Sequence, residues 1–366
     1  MDALSAGGGV AGGGPAGGAA PGATMRAAVL EGGQLLVREW PRPEPGPGEA
    51  LVRLTKVGIC GSDVHFVIDG TAKTAFEPIV LGHEPAGVVA ALGPGTAGPG
   101  VPAPGTRVCL MPLVTCMTCD RCLAGRSSLC KQRACLGSDI DGCWADYAVV
   151  PVRNLVPVPD SLSDLLAAVA TDAVATALHA VRARGGVREG SRVAVWGTGG
   201  LGLCAVGIAR SLGASRVIAV DPRAEARGWA LATGADEALH PEGAVEQISR
   251  WGGVDVALEF VGRSETVESA VRCLDDGGRA VVVGISYEKA SAGRLMTFVL
   301  RERELVASYG HEPQDVRDSV AWLDSGRLVL PHVVGDVIPL ADVAAGVARV
   351  HRGETGGSRI VVDIAG

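Results

Sequence analysis

Short apolar runs broken by glycine and proline fill the first third of the chain. Residues 51–57, 79–81, 87–91, 107–110 and 146–150 each read as a strand, and the segment 93–105 is dominated by Gly, Pro and small residues. Brief β-favouring runs between turn-formers predict a strand-rich, barrel-like unit. The texture changes at residues 162–181, where Ala, Leu and Val recur over a helix-length stretch without Gly or Pro. Strand and helix then alternate: strands at 192–196 and 216–220, helices at 200–212 and 224–234, and further buried strands at 254–260 and 279–284. Such alternation predicts βαβ units on a parallel sheet. From about residue 310 the pattern is mixed again, ending in an apolar strand at 359–364. The expected organisation is α/β, with residues 25–173 and 310–366 as two pieces of one domain and 174–309 inserted between them. No internal repeat of fixed period is visible.

Composition narrows the class. A length of 366 residues suits about two domains, and 47% apolar with 20% charged residues is an ordinary globular mix. The net charge of −7, with no basic block, argues against nucleic acid or an anionic membrane as partner. No run of about 18 uninterrupted apolar residues exists, so no transmembrane helix is expected. Residues 1–24 are nearly all Gly, Ala and Pro, too little apolar surface to offset ordering entropy, and are expected to be a disordered tail. That tail has no positive charge before Arg26 and no unbroken apolar core, so it is not read as a secretory signal; Met25 opens the first expected strand. Ten cysteines in a long chain without a secretory signature point to a reducing, cytoplasmic setting rather than a disulfide framework.

Residues 193–202, Val-Ala-Val-Trp-Gly-Thr-Gly-Gly-Leu-Gly, run from a strand through G-x-G-x-x-G into a helix. Gly197 allows the tight turn, Gly199 lets backbone approach a pyrophosphate, and Gly202 lets helix and strand pack closely. With Gly200 and Leu201 they open a helix whose free N–H groups suit phosphate. Asp221 closes the next strand, where a carboxylate accepts from ribose hydroxyls and repels a 2′-phosphate. That favours NAD over NADP, although Arg223 stands nearby.

Cys116, Cys119, Cys122 and Cys130 form C-x2-C-x2-C-x7-C. Four thiolates in one loop enclose a tetrahedral zinc with no open position, a structural site; disulfides or free thiols are the alternatives. Cys109, Cys135, Cys143, Cys204 and Cys273 lack such spacing and read as small buried residues.

Two further stretches complete the set: Gly58-Ile59-Cys60-Gly61-Ser62-Asp63-Val64-His65 and Gly82-His83-Glu84-Pro85-Ala86-Gly87. With the cysteine lobe at about 109–135 and the glycine loop, residues 25–366 resemble the zinc-dependent medium-chain dehydrogenase/reductase family of alcohol and polyol dehydrogenases. The resemblance implies a strand-rich GroES-like catalytic domain and a Rossmann nucleotide domain. It also implies two zinc ions per chain, one structural and one catalytic. Cys60 and His83 would be catalytic ligands, with Asp172 as the third, four residues before Thr176 at the expected start of the central helix; many relatives carry Cys there. A harder carboxylate leaves the metal more electrophilic. Glu84 would be a neighbour able to approach the metal, and Asp63 the carboxylate that fixes the ligand histidine's tautomer.

Alcohol oxidation needs an alkoxide, which a zinc with an open position favours by lowering the alcohol's pKa. Ser62 can accept the hydroxyl proton and pass it through the nicotinamide ribose hydroxyls to His65, whose imidazole can deliver it to water. By the same resemblance Thr176 lies near the nicotinamide, Gly284 and Ile285 face its amide, and Arg359 pairs with the pyrophosphate. Gly61 replaces a basic residue of some relatives. Of the other histidines, only His311 lies near the domain junction. Homodimers or homotetramers are implied, through residues 296–306. The expected activity is hydride transfer between NAD and a small secondary alcohol, polyol or cyclitol-like substrate. A zinc-independent quinone or enoyl reductase would lack the cysteine lobe and the Cys/His pair, and a noncatalytic nucleotide-binding relative would have broken ligands. Aromatic residues make up only 4% of the chain, which argues against a pocket specialised for stacking.

Overall fold

A computed structural model describes residues 22–366. The tail expected over residues 1–24 lies outside the described residues as far as residue 21, and Thr24 already belongs to the first strand, Thr24–Glu31.

The strand Glu49–Gly58 organises the first sheet. It runs antiparallel to Glu84–Leu92 on one edge, and on the other to Tyr147–Pro151 and Arg359–Asp363. Arg107–Leu110 and Leu155–Pro157 continue the sheet beyond Glu84–Leu92, and Val334–Pro339 lies parallel to Arg359–Asp363. One seven-stranded sheet is thus closed by residues some 300 positions after its centre. Leu54, Ile59, Leu81, Leu110, Leu136 and Trp144 fill its core.

The second sheet has six parallel strands in the order Glu237–Leu239, Arg216–Val220, Arg192–Trp196, Val254–Glu259, Leu274–Val282, Glu304–Ala307. Helices cover both faces, which is why Val193, Val195, Val217 and Ile218 form unbroken apolar runs. The order reverses between Arg192–Trp196 and Val254–Glu259, and ligands of such sheets bind in the crevice beyond that point. The strand expected at 279–284 begins earlier, at Leu274, because Asp275 to Gly278 bulge against Val254–Glu259.

Asp164–Arg184 is one continuous helix joining the two sheets. Ser163 caps it, its Oγ accepting from Leu166 N at 3.3 Å. The helix's early turns pack on Glu49–Gly58 and Glu84–Leu92, its later turns on Gly200–Ser211 and Pro313–Asp324. It widens into π-type turns at Ala170–Val174 and His179–Arg184. Two expectations change here. Thr176 lies in the middle of this helix rather than at its start, and the 173/174 boundary falls within it. By length and composition alone this helix could cross a membrane, but Asp172, His179 and Arg182 interrupt its apolar run and most of it is buried between the sheets.

Candidate active site and metal centres

The lobe forms from Leu113–Val114 to Ala134–Cys135, a short antiparallel pair enclosing the four cysteines. Four of the six distances between their sulfurs are 3.5 to 3.9 Å, and all six are within 4.8 Å. A disulfide needs about 2.05 Å, whereas a tetrahedron with metal–sulfur bonds of about 2.3 Å has edges of roughly 3.8 Å. All ten cysteines are free, so the quartet fits a closed structural zinc. The Cys116 thiol is pushed down to about 6 by the backbone N–H groups of Thr118 and Cys119. The other five cysteines are buried as expected, except Cys135, which is half-buried.

A feature invisible in the sequence anchors this lobe. Glu312, the N-cap of Pro313–Asp324, accepts from Ser127 N at 2.7 Å, Ser128 N at 3.1 Å and the Ser127 hydroxyl. The next turn holds Asp315, which accepts from His179 Nδ1 at 2.9 Å and Arg182 Nη2 at 2.8 Å on the long helix.

The second cluster brings together Cys60, His83, Glu84 and Asp172, with one donor atom from each within 4.8 Å of the others. Cys60 ends the strand region at Gly58 and caps the helix Gly61–Val67; His83 and Glu84 open Glu84–Leu92; Asp172 comes from the widened turn of the long helix. A π-type turn redirects one side chain out of the helical register, and such turns recur at functional sites. Asp172 Oδ2 lies 3.4 Å from Cys60 Sγ and 3.9 Å from His83 Nε2. Asp63 is buried, accepts from Cys60 N at 2.8 Å and places its other oxygen 3.5 Å from His83 Nδ1, which turns Nε2 toward the cluster.

Glu84 is fully buried beside Gly58, where an added Cβ would come within 2.1 Å of Glu84 Oε2. Arg359 Nη2 stands 2.8 Å from Glu84 Oε1 and 3.5 Å from Asp172 Oδ2. Neither Glu84 oxygen accepts a directed hydrogen bond. Burial pushes its carboxyl up, to about 8, against the pull of Arg359. Burial also opposes the Asp172 charge, but His83, Arg359 and His311 hold that carboxyl well below its usual range. Cys60, Asp172 and Glu84 are three potential anions against the one guanidinium of Arg359, which leaves room for a further positive charge, and the S/N/O donor set suits zinc.

Arg359 therefore does more than the resemblance implied: it enters the metal cluster from Arg359–Asp363 while its stem packs 3.1 Å from where a Cβ on Gly200 would be. It bridges the cluster and the glycine loop. In that loop Gly197 has φ +84°, and a Cβ on Gly202 would sit 1.9 Å from Gly197 O. Thr198 is buried with its hydroxyl unpartnered, and Leu201 is half-buried. Asp221 accepts from Thr198 N at 2.9 Å and takes both Nε and Nη2 of Arg223 at 2.9 Å. The acid and the base flagged in the sequence are thus one pair, with Gly199 beside the guanidinium.

Ser62 Oγ lies 3.5 Å from His83 Nε2, at the cluster. His65 Nδ1 meets Asp69 Oδ2 at 2.9 Å and Thr71 Oγ1 at 2.8 Å. Gly284 packs against the backbone of Gly262, and Ile285 is exposed at the crevice side of the parallel sheet. Gly61 faces open space. Thr176 Oγ1 is bonded to Asp172 Oδ1 at 2.7 Å and lies 3.3 Å from His311 Nδ1. Neither His311 nor Glu312 carries a motif that sequence reading could use.

Known proteins agree with this geometry. Residues 46–160 match the alcohol dehydrogenase GroES-like domain and residues 200–325 the zinc-binding dehydrogenase domain. L-threonine 3-dehydrogenase of Pyrococcus abyssi is 33% identical over 85% of this chain and 90% of its own length. Alcohol dehydrogenase of Geobacillus stearothermophilus is 30% identical over 93% of this chain and 100% of its own. A zinc-binding dehydrogenase from Sinorhizobium meliloti, solved bound to NADP, superposes with TM-score 0.84 at 30% identity, covering 93% of this chain and all of its own. The fold and site define an oxidoreductase that works with zinc and a nicotinamide nucleotide. The chain belongs to the zinc-dependent medium-chain dehydrogenase/reductase family.

Proposed function

We propose that the protein is an NAD-dependent dehydrogenase of a small secondary alcohol, polyol or cyclitol-like compound, with one catalytic and one structural zinc per chain. The observation that carries this is the buried Cys60/His83/Glu84/Asp172 cluster, joined through Arg359 to the glycine loop. Intact donors argue against a zinc-independent reductase and against a noncatalytic relative.

Cys60, His83 and Asp172 would hold the catalytic metal, which supplies Lewis acidity that lowers the alcohol's pKa. Ser62 Oγ, beside His83, would accept the substrate's hydroxyl proton only as it gives up its own, and half-exposed His65, whose Nδ1 is held by Asp69 and Thr71, is the group proposed to release that proton to water. Asp63 holds the His83 ring so that Nε2 faces the cluster. Arg359 balances Glu84 and, through its contact with Gly200, orients the phosphate loop. Asp221 would accept from the ribose hydroxyls, and its pairing with Arg223 supports NAD, since the guanidinium is already engaged.

The bodies are taken as 25–173 with 310–366, and 174–309. Subunits pair through residues 296–306, where Leu295, Met296, Val299 and Leu300 are exposed beside the edge strand Glu304–Ala307, giving a dimer or tetramer. The cytoplasm is the proposed compartment, since ten free thiols need a reducing one.

The test is nicotinamide absorbance on zinc-loaded protein with NAD or NADP and a panel of secondary alcohols, polyols, cyclitols and L-threonine, the last because of the Pyrococcus relative. Turnover with NAD supports the proposal. Bound zinc with silence across the panel refutes it, and a preference for NADP refutes its nucleotide half.

A further inference from the structure

We infer that His311 is a positioning residue for the catalytic centre: through Thr176 it fixes the carboxylate of Asp172 so that one oxygen only, Oδ2, faces the metal. The inference rests on the proposed reading of Cys60, His83 and Asp172 as ligands.

Proton accounting makes the argument. The 2.7 Å contact at Asp172 Oδ1 is a bond donated by the Thr176 hydroxyl, with the carboxylate oxygen accepting. That hydroxyl has one proton and spends it there. The 3.3 Å contact between Thr176 Oγ1 and His311 Nδ1 then requires Nδ1–H to donate to the hydroxyl oxygen. The chain runs one way, from His311 through Thr176 to Asp172. Its far end is fixed because each donor has a single acceptor.

The rest of the ring shows no competing task. His311 is buried, 3% exposed, and its Nε2 has no partner among the described residues. A buried polar atom left unsatisfied costs about 1–3 kcal/mol, so the ring is held there by the single bond to Thr176 and by packing. Burial presses the imidazole below its ordinary range, against the opposing pull of Asp172 and Asp315.

The consequence falls on the carboxylate. With Oδ1 occupied by Thr176, Oδ2 alone lies 3.4 Å from Cys60 Sγ and 3.9 Å from His83 Nε2. Asp172 therefore offers one oxygen to the cluster, as a thiolate offers one sulfur. A free carboxylate in this place could turn to present both. Because the ring comes from the segment just before Pro313–Asp324, the geometry of a ligand on the long helix is set from a different element.

The experiment replaces the catalytic-site zinc by Co2+ and reads two quantities in each variant: the visible cobalt bands and the Co2+ affinity in competition with a chelator. NADH binding serves as the check that the fold is intact. His311→Leu should weaken Co2+ on the order of tenfold and shift the bands, as loss of an outer partner of a ligand does. His311→Asn, whose amide N–H2 falls near the Nδ1 position, should restore both. Thr176→Val should match His311→Leu, and the double variant should be no worse than either. NADH binding should stay within about twofold in the His311 variants, since Asp221 and the glycine loop are untouched; for Thr176→Val, whose side chain is expected near the nicotinamide, circular dichroism reports the fold instead. Parental affinity and bands in His311→Leu overturn the inference, as do losses that multiply in the double variant. Should His311→Leu not fold, parental behaviour of Thr176→Val overturns it equally. A parent protein whose Co2+ content is unaffected by Cys60→Ser overturns the metal reading, and this inference with it; parental metal binding with silent variants overturns this inference alone.

Discussion

Replacing Glu312 by Ala should loosen the structural metal without touching either the donor cysteines or the catalytic cluster. The carboxylate takes two backbone N–H groups and one hydroxyl from Ser127 and Ser128, which are 3% and 5% exposed. Removing the acceptor strands two buried N–H donors at about 1–3 kcal/mol each, reduced by whatever water follows, so about 3 kcal/mol is lost from the closed lobe. At about 1.4 kcal/mol per factor of ten this predicts roughly 100-fold faster metal release. Glu312→Gln keeps one acceptor oxygen and should lie near tenfold. The assay is zinc transfer to a chromophoric chelator, with the lobe phase identified by its disappearance in Cys119→Ser. A lobe phase within about threefold of the parent in Glu312→Ala, in a protein with unchanged circular dichroism, would refute the reasoning.

Gly58→Ala should empty the catalytic site, because the new Cβ would lie 2.1 Å from Glu84 Oε2, whereas Gly61→Ala, with nothing within 4 Å, should not; metal content separates them. Asp221→Ser releases Arg223 and should raise the NADP-to-NAD ratio of kcat/KM about tenfold, the worth of one charge-assisted bond; an unchanged ratio would remove Asp221 from cofactor choice. Burial raises the Asp315 carboxyl, but His179, the Glu312 N–H and Arg182 outweigh it and hold it below its usual range. Its stabilisation is therefore full above about pH 4 and lost as the pH falls through the depressed value. Asp315→Asn should melt lower than the parent at pH 7, with the gap closing toward pH 3; a gap that stays constant would contradict this.

What the sequence made legible is local. The glycine loop, the cysteine quartet and the run from Cys60 to His65 lie on single turns, where backbone geometry fixes what neighbours what. Glu84 and Asp172 entered only through resemblance, and the structure places both at the same cluster. Invisible was every contact made across long separations. Arg359 could be assigned to phosphate, but its reach to Glu84 depends on Arg359–Asp363 pairing with Glu49–Gly58. Glu312 looks like any acid before a proline, and His311 is set apart from the other histidines only by its place near the domain junction. Register across a sheet and the direction of a helix cap leave no period in the chain. The widened turn at Asp172 likewise breaks the helical repeat on which sequence reading relies.

The late strand Arg359–Asp363 also sets a timetable. A chain made at roughly 5–20 residues per second exposes Cys60, His83 and Glu84 for some tens of seconds before Arg359 exists. During that interval Glu84 has no guanidinium beside it, and burying an unpartnered carboxyl group opposes closure of the sheet. The donor cluster thus stays open to solvent while the lobe cysteines, contiguous and already complete, can claim their ion. Newborn chains would take up the two metals in a fixed sequence, the lobe first and the catalytic centre only once the final strand has slid into place.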